Sequence, residues 1–410
     1  MALLKVESVE SAVLSLRSFI EHHYLNRTEV IPLLRSQNRI VSETLFCVED
    51  NPNFNRSTVD GYAIFAHESH GASENLPTVL NCVEQIEMGK AAVSELRPGE
   101  CAYVPTGGML PKNANAVVMI EYCDVFEGNQ ILVYQSVSEH ENVVLKGEDM
   151  RQGSPLLEVG SRMSFKEIAL CAQNGITHIP VYQNLKALVI STGDELAEIH
   201  EALSLGQVRD INRLMLIELL KQVNIDCVEQ QLVRDDFDGL KATVDLWIDQ
   251  VDLVILSGGS SQGTKDYTQR LFESYGSEAL WLHGLAIKPG KPTLLGSWHE
   301  TLLIGLPGHP LSALLVYLNV VQEALIQAYQ IKKQKPILAK LATNMPSAAG
   351  KDTYLLVNLE RHSDYYEASV CHTKSGLIQA FTHANGYIHL SKDTEGAHQG
   401  TWVEVFPLTL

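Results

Sequence analysis

The segment KALVISTGDE, residues 186–195, is an apolar, β-branched run that ends in glycine and carboxylates. Four more runs of this form cover residues 225–233, 252–256, 279–287 and 301–306, and each leads into a cluster of polar residues or glycine. Helical patterns fill the gaps, which predicts a doubly wound, mostly parallel α/β sheet. Ligands of such sheets bind outside the carboxyl ends of the strands. Because every cluster follows its strand, the sequence predicts one shared site at that edge.

Helix signals agree with this order of elements. Ser164 is followed three residues later by Glu167, which is the pattern of a capping box at the start of a helix. An amphipathic pattern with helical spacing opens the chain. The predicted helices are residues 8–24, the one opened by Ser164, 212–223, 238–250, 266–275 and 311–330.

Length and composition bound the class of protein. A chain of 410 residues exceeds one ordinary hydrophobic core, so several domains are expected. No run of 18 or more apolar residues is present, and the first residues lack the pattern of a signal peptide. Seven cysteines without CxxC spacing argue against a disulfide framework and a zinc site. These features predict a soluble, cytoplasmic protein without a membrane segment.

The charge balance constrains the ligand. The chain has 31 basic and 49 acidic residues, which gives a net charge of −18. Long-range repulsion therefore opposes binding to nucleic acid or to an anionic membrane, and neither is expected as a partner. An anionic ligand would need a local cluster of cations, which Lys265, Arg270, Lys288 and Lys291 could supply.

Patterning predicts four domains and a fold class of multi-domain α/β plus all-β. Short alternating strands with glycine turns predict a β domain inserted at residues 48–140. The segments on either side of it, residues 1–47 and 141–180, are expected to form one discontinuous amino-terminal domain. The α/β domain is expected at residues 181–330. Strand patterning returns at residues 331–410, which predicts a carboxyl-terminal β domain.

Two glycine-containing turns are candidate anion sites. The turn from Ser257 to Asp266 contains Gly258, Gly259 and Gly263, which let the backbone approach a ligand closely before a helix begins. It matches neither G-x-G-x-x-G nor the Walker pattern. The sequence Pro307-Gly308-His309-Pro310 also leads into a helix and offers free N–H groups. Taken alone, each turn is equally consistent with a plain loop or a helix start.

Charged residues add two hypotheses. Lys288-Pro289-Gly290-Lys291-Pro292 places two ammonium groups on a stiff turn, which favours binding of one oxyanion over a merely solvated turn. Glu195, Asp235 and Asp266 are carboxylates at three strand ends and could together hold Mg²⁺, which prefers a few carboxylates plus water and phosphate. The alternative for the carboxylates is a role as helix caps or surface acids.

These motifs resemble those of one family, the molybdopterin molybdenumtransferases (MoeA and the E domain of gephyrin). The similar segments in the α/β part are TGDEL (192–196), SGG (257–259), IKPGKP (287–292) and GLPG (305–308). Similar segments elsewhere are STVDGYA (57–63), Thr106-Gly107 with Ala116-Val117-Val118, GED (147–149) and Ser375-Gly376. The matches follow the family's order along the chain, and they imply a MogA-like α/β domain.

The resemblance implies a function: insertion of molybdate into adenylylated molybdopterin with release of AMP. It also implies Mg²⁺ as cofactor, an elongated homodimer whose site lies between subunits, and molybdopterin adenylyltransferase as the upstream partner. The residues assigned to catalysis are Asp60, Glu195, Asp235, Asp266, Lys288 and Lys291. Those assigned to substrate binding are Thr106, Asp149, Thr192, Gly193, Ser257, Gly258, Gly259, Pro307, Gly308 and Ser375. Glu195, Asp235 and Asp266 are also the expected metal ligands.

Four positions depart from the family pattern. Val144 precedes Gly-Glu-Asp where an Arg is usual, Gly284 replaces a second Lys, His309 replaces an Asn, and Lys351 replaces an Arg. Each change removes a donor that could contact phosphate, pterin or oxyanion. The alternative function is therefore a catalytically weakened paralogue that binds molybdopterin or a partner protein. A generic nucleotide-binding enzyme is a third possibility, which the missing nucleotide fingerprint disfavours. A Gly284→Lys change is expected to improve molybdate binding unless Gly284 has positive φ.

Overall fold

The computed structural model describes residues 6–258, 267–371 and 378–408. Contacts divide the chain into two compact units. The large unit comprises residues 1–43, 159–168 and 178–410, and the inserted unit comprises residues 44–158 and 169–177.

Except for the short helix Gln379–His383, which was not predicted, the helices lie close to the predicted ones, with ends shifted by a few residues. They are α1 (Val9–His23), α2 (Phe165–Gln173), α3 (Asn212–Lys221), α4 (Phe237–Trp247), α5 (Tyr267–Ser274), α6 (Pro310–Val316), α7 (Glu323–Ala328) and α8 (Gln379–His383). A π-helical segment, Tyr317–Gln322, joins α6 to α7.

The strands up to residue 182 are β1 (Thr28–Pro32), β2 (Leu45–Phe46), β3 (Arg56–Ser57), β4 (Gly61–Ile64), β5 (Thr78–Gln85), β6 (Glu100–Val104), β7 (Ala116–Met119), β8 (Cys123–Val125), β9 (Gln130–Val133), β10 (Val143–Val144), β11 (Pro155–Leu157) and β12 (His178–Tyr182). Those that follow are β13 (Leu185–Thr192), β14 (Leu196–Ala197), β15 (Val208–Arg209), β16 (Ile225–Val233), β17 (Leu253–Gly258), β18 (Leu280–His283), β19 (Ile287–Lys288), β20 (Leu294–Trp298), β21 (Thr301–Leu306), β22 (Ile337–Leu341), β23 (Met345–Pro346), β24 (Asp352–Arg361), β25 (Tyr366–Val370), β26 (Gly386–Leu390), β27 (Gly396–Ala397) and β28 (Trp402–Pro407).

The central sheet of the large unit has the order β16-β13-β17-β21-β20-β18. The first four strands are parallel, and β20 is antiparallel to both of its neighbours. All strands except β20 therefore run in one direction, and their carboxyl ends meet at one edge of the sheet. This confirms the prediction of a mostly parallel α/β sheet, and β20 is the strand that the prediction missed.

Side chains of the middle strands alternate between two cores. Along β13, Ala187 and Val189 pack with α1, α3 and α6, whereas Leu188 and Ile190 pack with α4 and α5. Both faces of the sheet are thus covered by helices, which is why these strands are apolar at nearly every position. Fully burying each large apolar side chain stabilises the fold by about 1.5–3 kcal/mol.

One predicted strand is wrong as a single element. The run at residues 279–287 breaks at Gly284, whose φ of 106° lies in a region that side-chain-bearing residues rarely adopt. β18 ends at His283, and β19 then joins a different sheet, where Ile287 pairs with Asp352 and Lys288 with Thr353. The lysine turn is therefore held between two sheets of the large unit.

The remaining sheets match the predicted β regions. In the carboxyl-terminal part, β24, β25, β22, β28 and β26 pair in a closed ring, to which β19 adds at β24. The inserted unit has a six-stranded sheet of order β7-β4-β6-β5-β9-β8, together with the two-stranded pairs β3–β10 and β2–β11. β1 pairs with β12 from Thr28–Tyr182 to Pro32–His178, which joins the chain before the insertion to the chain after it. The fold class is confirmed, whereas the boundaries of the four domains stay a prediction.

One helical stretch, Pro310–Ala328, is long and apolar enough to cross a membrane. However, 83% of it is buried inside the protein. Leu315, Val316 and Val320 are completely buried in the core beneath the central sheet. Its apolar character is that of a core helix.

Candidate active site

Three acidic residues, Asp194, Glu195 and Asp235, closely follow the ends of β13 and β16. The Thr192 hydroxyl donates to Asp235 Oδ1 over 2.8 Å, and the Asp235 N–H donates to Asp194 Oδ1 over 3.2 Å. Glu195 follows directly and is exposed. The backbone from Gly193 to Glu195 bends sharply, because a Cβ added to Gly193 would lie 2.8 Å from Glu195 Oε2. Thr192 and Asp235 are thus in contact, and Gly193 and Glu195 follow Thr192 on the same turn.

The backbone of Glu195 is fixed by the segment that follows. Its carbonyl accepts from Val208 N–H over 2.8 Å, where β15 pairs with β14. Glu198, three residues on, accepts from Arg213 Nη2 over 2.7 Å. These bonds hold the backbone that carries Glu195 at the edge of the sheet.

The two glycine turns lie against each other. Gly258 has φ 106°, and a Cβ there would lie 2.1 Å from the Thr192 carbonyl oxygen, so no side chain fits. A Cβ on Gly308 would lie 3.5 Å from Gly258 Cα. Pro307 is buried and Gly308 is exposed. Ser257, Gly258, Pro307 and Gly308 therefore form one continuous backbone surface that a ligand can approach closely.

Asn212 connects these turns and was missed by the sequence analysis. Its Nδ2 donates to Ser257 Oγ over 2.8 Å and to the Gly308 carbonyl over 2.7 Å. The sequence Asp210-Ile211-Asn212 was a signal that could have identified it, because two capping-type residues stand at the start of one helix although one would suffice.

A buried charge network fixes the start of α3. Asp210 is 1% exposed, accepts from the Ser191 hydroxyl over 2.9 Å and lies 3.0 Å from Arg213 Nε. Arg213 is itself 6% exposed. Removing Arg213 would leave the buried Asp210 carboxylate without its cation, which is strongly destabilising, whereas Arg213 also pairs with Glu198 over 2.7 Å.

The lysine turn presents two cations without carboxylate partners among the described residues. Lys288 is exposed, Lys291 is half-buried, and no ion pair involves either ammonium group there. The buried Thr293 hydroxyl donates to the Gly290 carbonyl over 2.8 Å and closes the turn. Gly290 has φ 120°, and a Cβ there would lie 2.3 Å from Val316 Cγ2. The turn is therefore rigid while its cations stay available to an anion.

The condition on which a gain from Gly284→Lys was expected is not met. Gly284 has φ 106°, so any side chain would strain the backbone at that position. Its N–H and carbonyl are both engaged, with Thr293 O at 2.9 Å and Glu7 N at 3.1 Å. A lysine there would disturb the same turn that holds Lys288 and Lys291.

The structure describes two of the three expected metal ligands, Glu195 and Asp235. Within residues 6–258, 267–371 and 378–408, no three His, Cys, Asp or Glu side chains are grouped so that they could hold a metal ion. Asp266, the third expected ligand, lies outside the described residues, as do Gly259 and Ser375. Mg²⁺ needs only one or two carboxylates when phosphate and water complete its shell, and Asp235 and Glu195 fit that requirement.

Two candidate residues of the inserted unit, Asp60 and Thr106, are in direct contact. Asp60 Oδ1 accepts from Thr106 N–H over 2.6 Å and from the Thr106 hydroxyl over 3.0 Å, although 46 residues separate the two. Gly61 is needed beside them, because a Cβ there would lie 2.0 Å from Val118 O. Asp149 is exposed, and its carboxylate has no partner in the described part of the chain.

The structure shows the surroundings of two positions that depart from the family pattern, Val144 and His309. Val144 lies directly opposite Arg56 in the antiparallel β3–β10 pair, so a guanidinium is retained beside the position where the family has arginine. His309 is the N-cap of α6, and its side chain makes no capping hydrogen bond.

Comparison with known proteins gives a consistent assignment. Residues 6–175 match the family model of the MoeA N-terminal region (domain I and II), residues 188–327 that of a probable molybdopterin binding domain, and residues 338–408 that of the MoeA C-terminal region (domain IV). A putative molybdopterin biosynthesis protein of Methanocaldococcus jannaschii is 30% identical over 99% of this chain and 98% of its own. The molybdopterin molybdenumtransferase of Haemophilus influenzae is 30% identical over 93% and 94%, respectively. A crystal structure of a molybdopterin biosynthesis MoeA protein from Pyrococcus horikoshii has a TM-score of 0.79 at 32% identity and covers 99% of this chain and 100% of that one.

Proposed function

The chain belongs to the MoeA family, and we propose that it is a molybdopterin molybdenumtransferase that inserts molybdate into adenylylated molybdopterin and releases AMP. The main support for this reaction is the set of groups at the carboxyl-terminal edge of the central sheet. Carboxylates and close-packed glycine turns lie at strand ends that point in one direction, and two cations without carboxylate partners among the described residues lie on the turn that leads into β20, which starts at the same edge. Such an edge can bind a polyanion in a protein whose net charge is −18.

The two lysines would counter the charge of the oxyanion. Lys288 and Lys291 stand on a turn that Thr293 closes, so their ammonium groups lose little freedom when an anion binds. Preorganised donors of this kind stabilise charge that develops as the phosphoanhydride is cleaved. The backbone surface of Gly258 and Gly308 allows close approach of phosphate or pterin.

The carboxylates would hold Mg²⁺ together with substrate oxygens. Asp235 and Glu195 are the described candidates, and Asp266 is the third. The ion would neutralise phosphate charge when bound. Thr192 orients Asp235 by its hydroxyl, so its role is to position the carboxylate.

We further propose a homodimer in which the inserted unit of one subunit completes the site of the other. Asp60, Thr106 and Asp149 would then contact the substrate from the partner, together with Ser375. The adenylylated substrate must come from a molybdopterin adenylyltransferase, which is the expected upstream partner. We expect the protein to carry out this reaction in the cytoplasm.

A coupled assay with adenylylated molybdopterin, Mg²⁺ and molybdate tests the function. The wild-type protein should release AMP in proportion to molybdate inserted. Lys288→Ala and Asp266→Asn should each lower the rate by about 10²–10³, the usual loss for one electrostatic group. Lys186→Ala is the matched control, because Lys186 is exposed at the opposite, amino-terminal end of β13.

Two outcomes would contradict the proposal. Wild-type activity in both site variants would mean that this edge is not the active site. Tight binding of adenylylated molybdopterin without turnover by the wild-type protein would instead favour the weakened paralogue.

A further inference from the structure

We propose that Asn212 is a positioning residue that sets the spacing of the Ser257–Gly258 and Pro307–Gly308 turns. Neither the family motifs named above nor the candidate residues include it. The proposal rests on the proposed function in one respect, namely that these two turns contact the substrate.

The geometry of the amide is unambiguous. The Gly308 carbonyl can only accept, and it lies 2.7 Å from Asn212 Nδ2. The amide nitrogen must therefore face it, which fixes the orientation of the side chain. The same nitrogen donates to Ser257 Oγ over 2.8 Å. One NH₂ group thus links turns that stand 45 and 96 residues away in sequence.

The pairing of β17 with β21 holds the two segments together as far as Ser257 and Leu306, and Asn212 links them just beyond that last pair. Both turns contain glycine at the contact, so no side chain interlocks them there. Gly258 is packed against the end of β13, whereas Gly308 is exposed, and a Cβ on it would have Gly258 Cα as its nearest neighbour. If the link were lost, the Gly308 turn could move against the Gly258 turn without breaking a side-chain contact between them.

Asn212 is itself held rigidly. It is 7% exposed and lies at the first position of α3. Two residues before it, Asp210 is bonded to the Ser191 hydroxyl and to the Arg213 N–H, at 2.9 and 3.3 Å. The amide is therefore anchored to β13, the strand that also carries Thr192. A rigid link of this kind pays its entropy cost during folding and not during substrate binding.

Removing the link should weaken substrate binding more than the chemical step. Asn212→Ala deletes both hydrogen bonds, and we expect kcat/KM to fall by about 10- to 100-fold, with most of the loss in KM. The two turns bind the substrate and do not contain the reacting lysines, which is why KM should carry the change.

Asn212→Asp gives a readout that a merely structural role would not. An ionised carboxylate would face the Gly308 carbonyl oxygen and repel it, whereas the protonated acid can donate to it. Burial raises the pKa of such a carboxyl, so KM of this variant should improve as the pH falls. The wild-type protein and Asn212→Ala should show no matching improvement.

Hydrogen exchange of the free protein provides a test that does not depend on the reaction. Amides in peptides that contain residues 253–258 and 303–313 should exchange faster in both Asn212 variants than in the wild type. Asn184→Ala is the matched control, because Asn184 precedes β13 at the other edge of the sheet and bonds Asp226 over 3.1 Å. It should leave both peptides unchanged.

The outcomes separate the two proposals. If Asn212→Asp and Asn212→Ala leave exchange in both turns and KM at wild-type values, Asn212 does not position them. If the wild type lacks turnover but both turns exchange faster in the variants, the positioning role stands and the proposed function fails. If Asn212→Ala does not fold, the pH dependence of KM in Asn212→Asp decides alone, and a flat profile overturns the proposal.

Discussion

At the scale of single residues, the two edges of the central sheet differ in how their polar groups are used. At the amino-terminal edge the groups are satisfied: the Tyr24 hydroxyl lies 2.7 Å from both the Asp252 and the Glu300 carbonyl oxygens. Arg27 pairs with the carboxylates of both residues. At the carboxyl-terminal edge, Lys288 and Lys291 have no such partners among the described residues. Satisfied groups stabilise a fold, and unsatisfied ones are available to a ligand.

We expect Tyr24→Phe to lower the free energy of unfolding by about 0.5–1.5 kcal/mol, because it removes the hydroxyl hydrogen bond, although the Asp252 carbonyl oxygen keeps the Leu302 N–H as a donor. Burial is also the main reason why the pKa of Tyr24 lies far above its usual value, so the hydroxyl stays a donor at every accessible pH. Urea denaturation measures the loss. Turnover of the folded variant should equal that of the wild type, and a large loss of activity would contradict the division between the two edges.

The sequence indicated residues that could contact a ligand, but it did not indicate the residues that fix the positions of these contact residues. Thr192, Asp235 and the lysines were recognisable because they follow apolar runs. Asn212, Asp210 and Arg213 were not, because their bonds join segments that are distant along the chain. Nothing in a single sequence states which distant carbonyl an amide will face.

At the scale of elements, the helix starts show how local sequence encodes structure. The capping box of α2 was predicted and is confirmed, with Ser164 N–H donating to Glu167 Oε2 over 2.9 Å and Lys166 N–H to Ser164 Oγ over 3.2 Å. The start of α6 lacks such a cap at His309. By contrast, β20 and the break at Gly284 depend on pairing and on φ, which periodicity does not report.

The cap of α2 should depend on pH. Burial opposes ionisation of Glu167, but hydrogen bonds from the Ser164 hydroxyl and N–H outweigh it, and the pKa of Glu167 is lowered. Its contribution to stability is therefore complete above the unfolded-state value of about 4.3 and is lost as the pH falls through the lower folded-state value.

Glu167→Ala should thus cost about 0.5–2 kcal/mol at pH 7, and the difference from the wild type should shrink on acidification below about pH 4. Chemical denaturation across that range is the measurement. A difference that stays constant from neutral to acid pH would show that the carboxylate is not the group responsible.

His309→Asn should strengthen the start of α6. The backbone at His309 already has the extended conformation of an N-cap, with φ −76° and ψ 128°, so an asparagine oxygen could accept from the first turn. We expect a gain of about 0.5–1 kcal/mol in the free energy of unfolding. His309→Ala is the control, which should give no gain because it adds no acceptor. Equal stability of the Asn and Ala variants would rule out capping.

At the scale of the whole molecule, one unit is nested in the sequence of the other. The chain leaves the large unit after residue 43 and returns for good at residue 178, and β1 and β12 join its two ends. The order of α/β and β regions was predictable because periods of two and of about 3.6 residues differ along the chain. The predicted dimer is a property of surfaces, and a single sequence does not specify it.

Complementation tests whether the two units act across subunits. Asp60→Asn damages the inserted unit and Lys288→Ala the large unit, so each variant alone should be nearly inactive. If the site is shared between partners, mixing and reassembling them equally should restore about one quarter of wild-type activity, since half of the dimers then contain one intact site. Light scattering should show dimers at micromolar concentration. Monomers, or a mixture that stays inactive, would argue for a site within one chain.

The packing of α1 has a consequence for how the protein is made. Val9, Val13, Leu16 and Ile20 belong to one core with Leu311, Leu315 and Val320. At about 5–20 residues per second, a ribosome needs roughly 15–60 s to synthesise the roughly 300 residues that lie between them. The inserted unit is complete well before that. During synthesis, α1 therefore stays without these later partners until α6 is made, and its incompletely covered apolar stripe would be a binding site for a chaperone.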